Sequence, residues 1–378
     1  MPTENQFPEE LLAAPIEQRI SYFEDFTIAH PNLLKAAEKL TTSLNEPVGS
    51  AIIFLFGPTG VGKTTLLMRT IQRLTEQFLA EYEKDKSCLP FAGFEAPAPE
   101  LRSFSWKSVY VRALEALRNP LIDREDHLLA RINGVHSTKD RLRLLLEKDL
   151  HYRHPKLFYI DEAQNFGKVS NAKHFKDQAD CIKSISNLAG VPILLVGTYE
   201  LLYLRNRSAQ LARRSTDIHY PRYRVNTSND EKVFKNIVHK FQRNLPLEEQ
   251  PNLTANWDFC YERSLGCVGI LKDWLSRTLA GTLVNNSHAK TITLSDLEKY
   301  AYSLNICSIM LREIREEEKV LEESVSRNDL RLQLGLNTIE EVKPKTQVKP
   351  PQEKSFKRKR VGEPNPKRRK IGDAQDAS

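Results

Sequence analysis

No run of apolar residues in this sequence approaches the roughly 18 to 20 that a helix needs to cross a bilayer, which argues against a helical membrane span. The opening residues, MPTENQFPEE, are acidic and polar, without the apolar core of a signal peptide or the arginines of a transit peptide. Cysteine is scarce: five in 378 residues, at positions 88, 181, 260, 267 and 307. Their odd number and wide spacing exclude paired zinc ligands and suit reduced thiols in a cytoplasmic protein. No internal repeat is present. Nor does the body carry an excess of one charge. The net charge of +7 is equalled by the segment 357–370, KRKRVGEPNPKRRK, with eight Lys or Arg and one Glu; without it, 48 basic residues face 48 acidic ones. Any nucleic-acid site on the body therefore has to come from local placement of charge, not from overall attraction.

What is present is an alternation of short apolar runs with helical periodicities. AIIFLF (51–56), LFYI (157–160) and VPILLVG (191–197) read as buried parallel strands, FAGFEAP (91–97) and HYPRYRV (219–225) as two more. LLMRTIQRLTEQFLAEYEK (66–84) places Leu67, Ile71, Leu74, Phe78 and Tyr82 on one helical face. Strands alternating with helices imply an α/β fold with a parallel sheet covered on both faces. From about residue 229 only helical periods remain, and after about 337 Pro, Lys, Gln and Glu replace apolar residues, a disordered composition. The expected organisation is an N-terminal helical segment (1–48), an α/β nucleotide domain (49–228), a small helical domain (229–336) and a disordered basic tail (337–378).

GPTGVGKT (57–64) matches G-x-x-x-x-G-K-[ST] in full, between an apolar strand and a helix, where a phosphate loop has to lie. Its glycines let successive backbone N–H groups turn toward a phosphate, and the helix N-terminus adds positive potential. Gly57, Pro58, Thr59, Gly60, Val61, Gly62, Lys63, Thr64 and Thr65 are the candidate ATP-binding residues, Lys63 as the point charge for the β- and γ-phosphates. Thr64 and Asp161 are the candidate Mg²⁺ ligands. Asp161 and Glu162 end the strand LFYIDE, the pattern of a Walker B strand, and Glu162 is placed to polarise an attacking water. That acidic pair favours an ATPase over a kinase of small molecules.

GPTGVGKT, LFYIDEAQNF, LLVGTYELLYLRNRSAQLARR and SLGCVGILKDWL, in this order, resemble the TnsC/TniB branch of the AAA+ ATPases, regulators of target selection in bacterial transposons, including CRISPR-associated ones. The resemblance covers roughly residues 20–285. It implies an AAA+ fold with a helical lid and a bacterial origin. It also implies that Thr198, closing the strand between those of the phosphate loop and Walker B, senses the γ-phosphate. QLARR lies where such proteins place an arginine finger supplied in trans; Arg213 and Arg214 fit, Arg205 and Arg207 less well. Lys272 stands where the family has a sensor-2 arginine, and supplies charge without a bidentate fork. The turn at His30 and Pro31 either covers an adenine or is a plain helix break. Lys107, with Arg102 and Arg112 beside it, is the candidate contact to a DNA backbone.

The function implied is an ATP-dependent regulator of transposition. It would form a ring or helical filament on double-stranded DNA, receive a TniQ- or TnsD-like target selector, recruit TnsA/TnsB-like transposase subunits, and hydrolyse ATP to disassemble. The alternatives are an initiator or clamp-loader-like ATPase of replication or repair, and a scaffold that binds ATP without turning it over. The tail is open to three readings: a DNA-binding arm, a transposase dock or, in a eukaryotic host, a nuclear signal.

Overall fold

The computed structural model describes residues 6–45, 52–99, 105–118, 138–167, 181–182, 185, 190–206, 208–322 and 327–336. Arg102, Arg207 and the basic tail lie outside the described residues. Residues 1–323 form one compact unit and 324–378 a second, whose described part holds a short helix, Arg327–Gln333. No helix among the described residues is long and apolar enough to cross a membrane.

Five parallel strands form the sheet: β1 (Ile52–Phe56), β2 (Ala92–Glu95), β3 (Phe158–Asp161), β4 (Ile193–Gly197) and β5 (Ser215–His219), in the order β2-β3-β4-β1-β5. β1 and β4 are buried at every position, as central strands covered on both faces must be. Alternation then splits β1 between two cores: Ile52, Phe54 and Phe56 face one apolar cluster, Ile53 and Leu55 the other. Registry aligns the strand ends. Phe56 pairs with Gly197 on one side and His219 on the other, and Glu95 pairs with Asp161. The residues that follow β1, β3 and β4 therefore share the carboxyl edge of the sheet, where open α/β sheets bind ligands.

The fifth strand ends where HYPRYRV (219–225) was expected to begin it. Pro221 has no N–H for the ladder, and Tyr220 and Tyr223 turn inward instead, each about 1 % exposed. Tyr220 N–H still reaches Phe56 O (2.8 Å), and Tyr223 N–H reaches Gly266 O (3.0 Å). The strand itself is STDIH, polar enough to escape a search for apolar runs.

Helix α1 (Ile16–Asp25) leaves the sheet alone. Phe23 meets Phe241 edge to face at 6.0 Å, and the Arg19 guanidinium donates twice to Pro246 O. Helix α2 (Pro31–Asn45), by contrast, buries Leu33, Ala36 and Leu40 against the sheet, beside Leu66, Leu67, Ile71 and Leu74 of α3 (Lys63–Lys84). After β2 comes α4 (Trp106–Ala116), followed by α5 (Thr138–Arg153); α6 (Leu201–Asn206) and α7 (Ala209–Arg213) lie between β4 and β5.

Helices α8 (Ser228–Asn244), α9 (Trp257–Ser264), α10 (Val268–Asn285), α11 (Leu294–Tyr300) and α12 (Leu304–Glu322) complete the unit. α10 is apolar round most of its circumference, which makes it the central helix of the group. Its Trp274 is 1 % exposed and donates its indole N–H to Leu297 O at 2.9 Å.

Trp274→Ala removes a large buried side chain and strands that carbonyl, so it should cost about 3–5 kcal/mol in urea unfolding. A loss under about 1 kcal/mol, the level of an ordinary surface change, would contradict this packing.

Candidate functional site

The loop between β1 and α3 is shaped by two left-handed glycines, Gly60 (φ 74°) and Gly62 (φ 109°), a conformation that a Cβ strongly disfavours. α3 starts at Lys63, and Leu66 N–H is the first to bond back, to Gly62 O at 3.0 Å. The N–H groups of Lys63, Thr64 and Thr65 thus have no acceptor inside the helix and emerge at its positive end. Pro58 and Val61 are buried while Thr59, Thr64 and Thr65 are exposed, so the loop is anchored from beneath and open above.

Lys63 is 9 % exposed. Its ammonium donates to Gly57 O and Pro58 O, both at 2.9 Å, leaving one of its three protons for another acceptor. Burial lowers its pKa, and the nearby carboxylates Glu162 and Asp161 act in the opposite direction. Across from it the Thr64 hydroxyl donates to Asp161 Oδ2 at 3.3 Å. Burial raises the Asp161 pKa; the Glu162 N–H, which donates to Asp161 Oδ1 at 2.9 Å, and the Thr64 hydroxyl oppose that rise. Among the described residues no group of three His, Cys, Asp or Glu could hold a metal. A hydroxyl and one carboxylate are a donor set that fits Mg²⁺, which keeps several waters and takes its remaining ligands from phosphate.

Glu162 sits in a left-handed turn (φ 50°), unusual for a residue with a side chain. The Gln164 amide donates to Glu162 Oε2 at 2.5 Å, and its carbonyl accepts the Thr198 N–H at 3.3 Å. Gln164 therefore bridges the ends of β3 and β4. Sequence reasoning had assigned it no role, and DEAQ was its only signal. Thr198 Oγ1 accepts the Glu200 N–H at 3.3 Å.

Other expected residues lie elsewhere. Arg213 is exposed at the end of α7, and Arg214 caps that helix. They precede Ser215, which pairs with Ile52 at the start of β1, whereas the phosphate loop follows Phe56. About 13 Å of strand separates them from their own phosphate loop, so a finger role would require a neighbouring copy. Arg205 is ion-paired with Asp217. Lys272 donates to Glu24 O of α1, with Asp25 and Arg69 nearby. Lys107 and Arg112 line an open groove of about 740 Å³ on α4, where Arg112 also donates to Glu95 O at 3.3 Å.

His30 is 4 % exposed, with Nδ1 2.8 Å from the Tyr223 hydroxyl and Nε2 3.2 Å from that of Tyr220. A Cβ on Gly62 would lie 3.4 Å from the Tyr220 hydroxyl, so this cluster props the phosphate loop from below. A second prop comes from α10: Ile270 N–H donates to Gly60 O at 3.0 Å, and a Cβ on Gly269 would come within 2.5 Å of that oxygen.

Residues 48–204 match the family model described as AAA domain. No curated protein matches the sequence. Among solved structures the chain is similar to the ORC2 protein of Aeropyrum pernix in its ADPNP–ADP complexes, with 15% identity, 75% of this chain and 72% of that one covered, and a TM-score of 0.47. It is similar to Cdc6p from Pyrobaculum aerophilum at 16% identity, 74% and 69% coverage and a TM-score of 0.47. Domain III of the Thermotoga maritima replication initiation protein DnaA aligns at 15% identity, 78% and 97% coverage and a TM-score of 0.38. Sheet order, phosphate loop and acidic strand end define the class: the chain carries an AAA+ P-loop nucleotide-binding fold.

Burial holds the His30 pKa down at about 4, below the 6.5 of a free histidine. Between those values the unfolded chain binds a proton that the folded one refuses, so folding stability falls as the pH falls. Urea unfolding of the wild type should lose about 2 kcal/mol more between pH 7 and pH 5 than that of His30→Gln. Equal losses would show that His30 is not held neutral.

Proposed function

We propose that the protein is an ATPase that switches between ATP-bound assembly on double-stranded DNA and hydrolytic release. The convergence of Lys63, Thr64, Asp161, Glu162 and Thr198 at one edge of the sheet carries this reading. A bound Mg²⁺ would shield the phosphate charge. Lys63 and the N-terminal amides of α3 would hold the β- and γ-phosphates, while Glu162, steadied by Gln164, would orient water for in-line attack. Arg213 or Arg214, exposed or capping α7 far from its own site, would complete the site of an adjoining copy. Lys107 and Arg112 would then hold DNA phosphates, contacts that position a protein without reading sequence.

Within that class we favour a regulator of transposition of the TnsC/TniB kind, which would link a target selector to transposase subunits. The motif order GPTGVGKT, IDEAQ, QLARR and GCVGILKDWL supports it. An initiator or clamp-loader role would use the same nucleotide residues with other partners. Pull-down by TniQ- or TnsB-like proteins, but not by replication proteins, is the outcome expected here.

Lys63→Ala should abolish ATP-dependent assembly on duplex DNA in electron micrographs; intact rings or filaments from that variant would rule out the switch. Glu162→Gln should bind ATP and stay on DNA with turnover lowered at least about 100-fold. Wild-type turnover would remove Glu162 from its role.

A further inference from the structure

A groove of about 800 Å³ opens beside the segment that follows β5, and none of the residues assigned to nucleotide lines it. One wall is α12, whose Leu304, Cys307, Leu311, Arg315 and Lys319 stand three or four residues apart and so form one line along the helix. The facing wall is built from Arg222, Arg224 and Val225, with Tyr261 of α9 and Leu265 just after it. Apolar side chains on a soluble protein normally turn inward, yet Leu304 is 61 % exposed at the open end of this line. At the other end the line is cationic. Arg315 and Lys319 are both exposed and one turn apart, a like-charge spacing that destabilises an isolated helix.

The cationic end already grips one carboxylate. Glu318, 5 % exposed, takes the Arg222 Nε proton on Oε1 at 3.0 Å; its Oε2 meets Arg222 Nη2 at 3.2 Å and Arg224 Nη2 at 2.9 Å. Arg222 Nη1 also donates to Leu265 O at 3.1 Å, which fixes the fork in place. Two guanidiniums on one carboxylate leave a positive surplus. The other acid in the lining, Glu262, is ion-paired at 3.2 Å with Arg263, a residue outside the lining. Arg222, Arg224, Arg315 and Lys319 thus face Glu262 and Glu318, four cations against two carboxylates. A nucleic-acid backbone is charged along its whole length and would waste the apolar half of the groove. A peptide with apolar and acidic side chains on one face would use both halves.

The geometry points to a docking groove for an acidic, amphipathic helical segment of a partner protein. The segment lies along α12, with its apolar side chains over Leu304 and Leu311 and its carboxylates at Arg315 and Lys319. Such a segment supplies from outside the chain the same kind of arginine–carboxylate pairing that Glu318 supplies from within. The inference does not rest on the nucleotide-site reading.

The test is fluorescence anisotropy of the full chain with three labelled synthetic helical peptides: one with leucine on one face and glutamate around it, one with lysine in place of glutamate, and one with serine in place of leucine. The leucine–glutamate peptide should bind at least about tenfold tighter than either of the others. Arg315→Glu with Lys319→Glu, both at exposed positions, should reverse the preference so that the leucine–lysine peptide binds better; that gain also shows that the variant is folded. Leu304→Ser should weaken the leucine–glutamate peptide about threefold or more and leave the serine peptide unchanged. Equal binding of the three peptides, or an unreversed preference in the double variant, overturns the groove's assignment. So does a double variant that keeps peptide binding but loses affinity for duplex DNA, or loses self-association in sedimentation, since the groove would then belong to nucleic acid or to a second copy.

Discussion

A buried cation without a direct anionic partner is the constraint on which this structure turns. Taking an ammonium out of water is costly, and Lys63, 9 % exposed, is repaid by two backbone carbonyls and by carboxylates further away. Neither Asp161 nor Glu162 closes on it as an ion pair, because each is held by a neighbour: Asp161 by Thr64 and the Glu162 amide, Glu162 by Gln164. The site therefore keeps positive potential at a helix N-terminus, which suits a polyanion. The loop conformation that holds Lys63 in place depends in turn on the left-handed glycines, and those are propped by Tyr220 and by Ile270.

The two props connect the site to distant parts of the chain. Tyr220 leads through His30 to Tyr223 and so to α2; the Asn32 N–H also meets the Tyr223 hydroxyl at 3.2 Å. Ile270 leads into α10, the core helix of the helical group, against which α1 also packs. A shift at the phosphate loop would press directly on both. Protein interiors are too densely packed to absorb such a shift locally, so any change at the site has to be passed to these elements.

Much of this was legible in the residues. The strands β1, β3 and β4 are short apolar runs, two of them ending in chemistry-bearing residues, and the phosphate loop has a spacing that few other structures require. The fifth strand was placed about four residues late, because STDIH lacks an apolar run and the aromatic stretch after it looks more strand-like than it is. Gln164 was hidden because an amide carries no charge signature; only the fold brings β3 and β4 side by side. His30 was noted for the proline beside it, and its actual partners lie about 190 residues away. Glu318, which pairs with Arg222 at 3.0 Å, was masked by the run REEEK, which reads as a solvated helix face until packing buries one side of it.

If Lys63 is held in reserve for a polyphosphate, affinity should climb with the number of phosphates the loop can reach. Calorimetric titration of the wild type with AMP and with ADP in Mg²⁺ tests this most directly. The β-phosphate should be worth about 10- to 100-fold in affinity. Equal binding of AMP and ADP, or no binding of either, would contradict the account at its root.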